Sequence, residues 1–231
     1  MQLDILSGGA AQSVVNGLAG DFRAETGYEL ACTFSAVGAM KAKLLSGAPA
    51  DLVILTQALI AELAADGQVL ADSCADLGRV RTGVAVRAGE PPPDIASAAA
   101  LRRTLLAAGG IFFPDPQKAT AGIHFAGVLD RLGIRGEVEP RLKTYPNGAT
   151  AMHELAQARG ARLLGCTQVT EINNTPGVAL AGLLPREFEL ATVYSAGVCT
   201  AAANPEAARR FVALLCGAAS QVLRAKAGFE L

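Results

Sequence analysis

The chain has 231 residues, of which 51% are hydrophobic and 18% charged, and its formal net charge is −1. A chain of this length buries about 70% of its unfolded surface, so it needs neither a metal nor disulfides to hold a core. The scattered basic residues give no nucleic-acid or lipid surface, no run approaches the ~18 apolar residues of a membrane span, and the absence of Trp argues against a stacking platform for bases or sugars.

The chain opens as "MQLDILSGG", straight into a strand and without a basic, apolar leader. Two compartments stay open: the periplasm if a signal peptide was trimmed and a start Met added, the cytoplasm if Met1 is the native start. "LDIL" is a short strand and "SGGA" its turn, followed by a helix with Val14, Val15, Leu18 and Phe22 on one face. "YELACTF" is a strand by its alternation, and "SAVG" leads into the helix "AMKAKLL". The corner "SGAPAD" then delivers the apolar strand "LVIL". Gly47 ends the helix, Pro49 prevents its resumption, and the small residues let the chain return closely to the sheet. A strand-helix-strand-helix-strand order predicts a parallel sheet covered on both faces.

A helix follows through "ALIAELAADG", and "GRVRTGVAVRAG" reads as a strand. "EPPPDI" is the strongest breaker in the sequence and opens a second α/β series. That series comprises the helix "SAAALRRTLLAAG", the strand "GIFFPD", a helix from Thr120 to Leu132, and "YPNG" leading into the helix "ATAMHELAQA". The strand "RLLGCTQV" precedes a loop with Asn173, Asn174 and Pro176. "LATVYSAGVCTAA" is again a strand, and a helical region closes the chain, with Asn204 and Pro205 as its N-cap and first-turn pair.

The expected organisation is therefore two α/β lobes, 1–82 with 197–231 and 83–196, joined by crossings near 80–87 and 193–200. Each lobe is a mostly parallel sheet flanked by helices. Ligands of such sheets bind beyond the carboxyl ends of the strands, where backbone amides and helix N-termini point outward. Five turns meet that description: Ser7-Gly8-Gly9, Ser35-Ala36-Val37-Gly38, Thr120-Ala121-Gly122, Asn147-Gly148 and Thr167-Gln168. They predict a ligand cleft between the lobes.

Standard catalytic motifs are missing: there is no Ser-His-Asp order, H-E-x-x-H, P-loop or G-x-G-x-x-G. The five cysteines, Cys32, Cys74, Cys166, Cys199 and Cys216, show no C-x-x-C and no metal-ligand spacing. Most lie in apolar runs, where free Cys behaves as a small hydrophobe. No metal or other cofactor is expected.

Three segments carry a family resemblance. "FSAVGAMKAKLLSGAPADLVIL", "FPDPQKATAGIHFAGVLDRLGI" and the ending from "LPREFELATVYSAGVCTAAANPEAARRF" to "AGFEL" are similar, in that order, to molybdate-binding solute receptors of ABC transporters. The resemblance implies a two-lobed type-II periplasmic-binding-protein fold, a small anionic ligand, an ABC-transporter permease as partner and a monomer. It makes Pro49 and Asp51 structural, shaping the corner that follows a binding turn. It also implies that the oxyanion is held by serine hydroxyls and amides of the first two turns, by amides of the third and fourth, and by a tyrosine of the second lobe. At those places this chain has Gly9 or Ala10 with Ser7 upstream, Val37 with Ser35 upstream, and Gln168. A hydrogen bond to a charged group contributes about 1.5–3 kcal/mol. Loss of two or three such donors would cost roughly 3–9 kcal/mol, which predicts weak molybdate and tungstate binding.

The ligand-binding set expected is thus Ser7, Gly8, Gly9, Ala10, Ser35, Val37, Gly38, Thr120, Ala121, His124, Gly148, Gln168 and Tyr194. His124, in the first turn of its helix, can donate to an anion, transfer a proton or simply lie half-exposed on a helix face. Tyr194 suits hinge packing as well as ligand contact. Thr170 and Glu171 can face the cleft or cap a loop, Lys41 can attract a carboxylate or stay solvated, and His153 suits a surface or packing role. Two functions fit. One is a solute-binding protein that captures an organic carboxylate or oxyanion. The other is a cytoplasmic protein that keeps the fold and changes its task, either as a ligand sensor or as an isomerase or lyase of a small carboxylated compound, with His124 and Glu171 moving protons.

Overall fold

The computed structural model describes residues 1–231. In chain order the elements are β1 (Gln2–Gly8), α1 (Gln12–Thr26), β2 (Glu29–Ser35), α2 (Val37–Leu45), β3 (Leu52–Thr56), α3 (Gln57–Ala65) and β4 (Ala75–Arg87). There follow α4 (Ala98–Ala107), β5 (Gly110–Pro114), α5 (Thr120–Arg131), α6 (Arg135–Val138), β6 (Leu142–Tyr145), α7 (Gly148–Gln157), β7 (Leu163–Gln168) and α8 (Val169–Asn173). The chain ends with β8 (Val178–Leu183), β9 (Ala191–Val198), α9 (Pro205–Cys216) and α10 (Gln221–Ala227). No helix is long and apolar enough to cross a membrane.

The chain divides into two compact units, Met1–Val80 with Thr192–Leu231, and Arg81–Ala191. It leaves the first unit within β4 and returns within β9. The sequence reading put residues 192–196 in the second lobe, but Tyr194, Ser195 and Ala196 pair with Thr56, Leu55 and Ile54 of β3, which ties them to the first unit.

In the first unit the strand order is β2-β1-β3-β9, with β1, β2 and β3 parallel and β9 antiparallel to β3. The four α1 residues expected on one face, Val14, Val15, Leu18 and Phe22, are all buried there. Phe22 meets Phe211 of α9 edge to face, ring centroids 5.0 Å apart, and each large side chain buried in this way contributes about 1.5–3 kcal/mol. Asn204 stands at the N-cap position of α9 without a side-chain capping bond. Its side chain instead reaches Tyr28, Gln2 and Asp51.

The second unit runs β8-β4-β7-β5-β6, with β5 parallel to β6 and β7, and β4 antiparallel to β7 and β8. Its core on one side is Phe113, Phe125, Leu101, Leu129, Leu164 and neighbours; Phe112, Met152, Leu155 and Ile172 form a second cluster. The strands β6 and β8 and the short helices α6 and α8 carry no periodic signal of their own. β6 has four residues and α8 five, too short for either period to register. Val169, read as the end of a strand, and residues 170–173, read as loop, are helical because Thr170, Glu171 and Ile172 are packed against the unit, not because they favour helix.

The corner "SGAPAD" ends on Asp51, which is 1% exposed. One carboxylate oxygen accepts the Asp4 amide at 2.9 Å and the other the Asn204 amide at 2.7 Å. Its own backbone bonds Asp4 O at 2.8 Å and accepts the Cys199 amide at 2.9 Å. One residue therefore joins β1, the end of β9 and the start of α9 to the entry of β3. Replacing it orphans two part-buried amides, each costing up to about 1–3 kcal/mol. Asp51→Ala is expected to lower unfolding free energy by about 2–6 kcal/mol in urea titrations, with Asp51→Asn, which keeps an acceptor, losing less.

Candidate functional site

In the first unit, parallel pairing sets the two N-terminal turns side by side: Gly8, the last residue of β1, is the partner of Ser35, the last of β2. β1 continues through a 3-10 turn at Gly9–Ala11 into α1, while β2 passes through Ala36 into α2. β9 begins at the same edge, since Tyr194 pairs with Thr56 at the end of β3. The Val37 and Tyr194 side chains close over Gly8, where an added Cβ would lie 2.7 Å from Val37 Cγ1 and 3.2 Å from Tyr194 Cε1. Ser7, Gly8, Gly9, Ala10, Ser35, Val37, Gly38 and Tyr194 thus form one cluster.

Within this cluster the hydroxyl of Ser7 is already spent. Ser7 is fully buried, and its Oγ donates to the Gly8 carbonyl at 2.9 Å. Ala10 and Val37 are buried too, so the wall they form is apolar. Neither α1 nor α2 has a side-chain cap: the N-cap positions are Ala11 and Ala36. By contrast Thr56 caps α3, which starts at this same edge, and Ser97 caps α4 of the second unit. An uncapped N-terminus leaves main-chain donors and the positive end of the helix dipole for an anion. Lys41, one turn into α2, is paired with Glu62 at 2.5 Å.

The second unit gathers the remaining candidates at the carboxyl ends of β5, β6 and β7. α5 opens at Thr120 after the Asp115 turn, in which the Asp115 carboxylate accepts the amides of Gln117 and Lys118; its N-cap, Ala119, gives no side-chain bond. Ala121 is buried and His124 half-buried. His124 Nε2 lies 2.7 Å from the Phe188 carbonyl. A carbonyl only accepts, so Nε2 carries a proton, and in the tautomer that holds this proton alone Nδ1 is an acceptor. His153 is exposed beside Gln157.

At α7 the anion-binding capacity of the helix start is already used. Asn147 caps the helix, accepting the Thr150 amide at 2.8 Å. The Glu171 carboxylate, on α8, accepts the Thr167 hydroxyl at 2.5 Å and the backbone amides of Gly148, Ala149 and Gln168. An added Cβ at Gly148 would lie 1.9 Å from Glu171 Oε2, so only glycine lets the carboxylate approach. Gln168, between Thr167 and α8, is 2% exposed. The hydroxyl oxygens of Ser13, Thr82 and Thr170 are buried without a partner; Thr170 is among the residues named from sequence, whereas Ser13 and Thr82 are not. No periodicity or motif marks them.

Burial pushes the Glu171 carboxyl above its usual range, and its hydrogen bonds pull it back only part-way. A raised carboxyl pKa means the folded state holds the proton more tightly than the unfolded chain does. Its stabilising effect is complete below the unfolded value of 4.5 and is lost as pH rises through the folded value. Urea titrations from about pH 4 to about pH 8 should show this decline in the parent, and Glu171→Gln should flatten it.

Three comparisons bear on kinship. A curated relative, aconitate isomerase from a Pseudomonas species, is 29% identical over 219 residues, covering 92% of this chain and 81% of that one. Among solved structures, the periplasmic molybdate-binding protein of Azotobacter vinelandii matches with TM-score 0.81 at 21% identity, over 99% of both chains. The sulfate-binding protein SubI of Mycobacterium tuberculosis H37Rv matches with TM-score 0.75 at 20% identity, over 99% of this chain and 86% of that one. The fold is thus that of periplasmic binding proteins, as the sequence resemblance implied. The family model of bacterial extracellular solute-binding proteins matches residues 3–230, and the chain belongs to that family.

Proposed function

We propose that this protein binds a small organic anion with more than one carboxylate. The observation that carries the reading is the make-up of the first-unit cluster. Its helices α1 and α2 start on alanine with no side-chain cap, Ser7 turns its hydroxyl onto its own backbone, and Ala10 and Val37 supply an apolar wall. Main-chain donors suit a carboxylate, and each helix terminus favours negative charge by about 0.3–1 kcal/mol. The apolar wall suits the carbon skeleton of an organic acid and gives nothing to a compact tetrahedral ion. Kinship with an enzyme named for aconitate, a tricarboxylate, supports the same ligand class. On this reading the protein acts as a solute receptor, and a transporter permease is its partner.

A second reading, an isomerase of such an acid, is favoured by the same relative and by His124. Its Nε2–H is fixed on Phe188 O, which leaves Nδ1 to take a proton from carbon and return it. Glu171 is less suited to this work, because its carboxylate is already held by a hydroxyl and three amides.

Titration calorimetry with cis-aconitate, trans-aconitate, citrate and molybdate separates these readings from an oxyanion receptor. Tight binding of a carboxylate and weak binding of molybdate is the expected result; submicromolar molybdate binding with no carboxylate bound would overturn it. Proton NMR of the bound acid over hours then decides between receptor and isomerase. An unchanged acid supports the receptor. Conversion that His124→Ala abolishes, with binding kept within about tenfold (~1.4 kcal/mol), establishes the enzyme.

A further inference from the structure

Two buried hydroxyls of the second unit have no partner. Thr82 and Thr170 are each 1% exposed, and neither Oγ1 makes a hydrogen bond. Ser13 of α1 also has a buried hydroxyl oxygen without a partner, whereas five others are spent: Ser7 on Gly8 O, Ser73 on Leu70 O, Thr167 on Glu171, Ser195 on Asp76 and Ser220 on Leu215 O. Desolvating a hydroxyl without giving it a partner is unfavourable, and a valine of the same shape would fill either place without that cost. Such groups are uncommon in folded proteins, and each calls for a water, an ion or a ligand that meets it.

Their placement fits that explanation. Thr82 of β4 is the cross-strand partner of Gln168, the last residue of β7, so the two side chains share one face of the sheet. Thr170 lies two residues beyond Gln168, in the first turn of α8. The two hydroxyls therefore bracket Gln168 at the carboxyl edge of β7, where ligands of such sheets bind. The backbone of Thr82 is already committed, its amide to Leu190 O at 3.1 Å and its carbonyl to the Leu184 amide at 3.3 Å. The carbonyl of Thr170 accepts the Asn174 amide at 3.1 Å. The side-chain oxygens of both are left over.

We infer that the hydroxyls of Thr82 and Thr170 are ligand contacts that set specificity, each donating to an oxygen of the bound organic acid. This rests on the carboxylate-binding reading above. A hydroxyl can donate and accept at once, so it serves an acid carrying several oxygens along a carbon chain. The sequence resemblance implies a single tyrosine for this part of the second unit. Two threonines around a glutamine give more donors, spread more widely.

The test uses Thr82→Val, Thr170→Val and the corresponding serine variants of the full chain, with trans-aconitate, citrate and molybdate as probes. Ligand-free valine variants should melt at or above the parent temperature. Their affinity for the carboxylate should fall roughly ten- to a hundredfold per hydroxyl, the loss of one hydrogen bond to a charged group, and serine should restore most of it. If a carboxylate binds and the valine variants bind it as well as the parent does, the hydroxyl inference falls and the ligand class stands. If only molybdate binds the parent, the ligand class falls, and the inference is judged by whether the valine variants weaken molybdate. A lowered melting temperature with lost affinity that serine does not restore would show structural hydroxyls and overturn the inference, as would a parent that binds none of the three.

Discussion

The first unit depends on one buried carboxylate. Asp51 stands where a helix ends and a strand begins, and its oxygens and backbone reach β1, the end of β9 and the start of α9. A buried acid is tolerated only when its lone pairs are taken up, and here main-chain amides take them. That requirement fixes the corner: Gly47 has φ +86°, in the left-handed region that releases the helix, and Pro49 keeps the chain extended into Asp51. Segments about 150 residues apart are thereby held at one point. The anchor holds the entry of β3 against β1, where Ile5 then pairs with Leu52.

A second buried carboxylate organises the other unit by the same chemistry and with a different result. Glu171 turns back onto the start of α7 and takes the amides of Gly148 and Ala149. A helix start that would suit a ligand's anion is filled from within. The starts of α2 and α5, which stand on alanines, carry no such internal acid among their capping groups. Anion capacity is distributed unevenly among helices that the sequence presents as equivalent. This narrows the candidate contacts to fewer helix ends than five similar turns suggest.

The same distinction between spent and unspent groups separates the serines from the threonines. Ser7 stands close to where family likeness implies a hydroxyl donor, yet it bonds its own neighbour's carbonyl. Thr82 and Thr170 stand where no motif implies one, and with Ser13 they are hydroxyls left over. Ligand chemistry on a shared fold is set at this level, by which polar groups the protein has already satisfied. The imidazole of His124 shows the point at a single ring: one nitrogen is committed to Phe188 O and the other is not.

Much of the fold was legible in the sequence. Long periodic segments such as α1, with its four buried residues at helical spacing, and continuous apolar runs such as β3 carry their own signal, because the burial that stabilises them is written in their own composition. The breaker "EPPPDI" and the corner "SGAPAD" likewise act through local backbone restriction. Four of the five turns were read as opening helices for the same reason; the helix after Thr167-Gln168 was not. What only tertiary structure decided was everything that needs a partner distant in the chain. β6, β8 and α8 are too short to form alone and exist through pairing and packing. β9 joins the first unit because of its ladder with β3. Asn204 gives up its capping bond for Tyr28, Gln2 and Asp51, and Glu171, named from sequence as a proton carrier, is held in a cradle that Gly148 leaves open. A sequence lists which donors and acceptors a chain has; which of them remain for a ligand depends on the bonds the folded chain has already made among residues far apart.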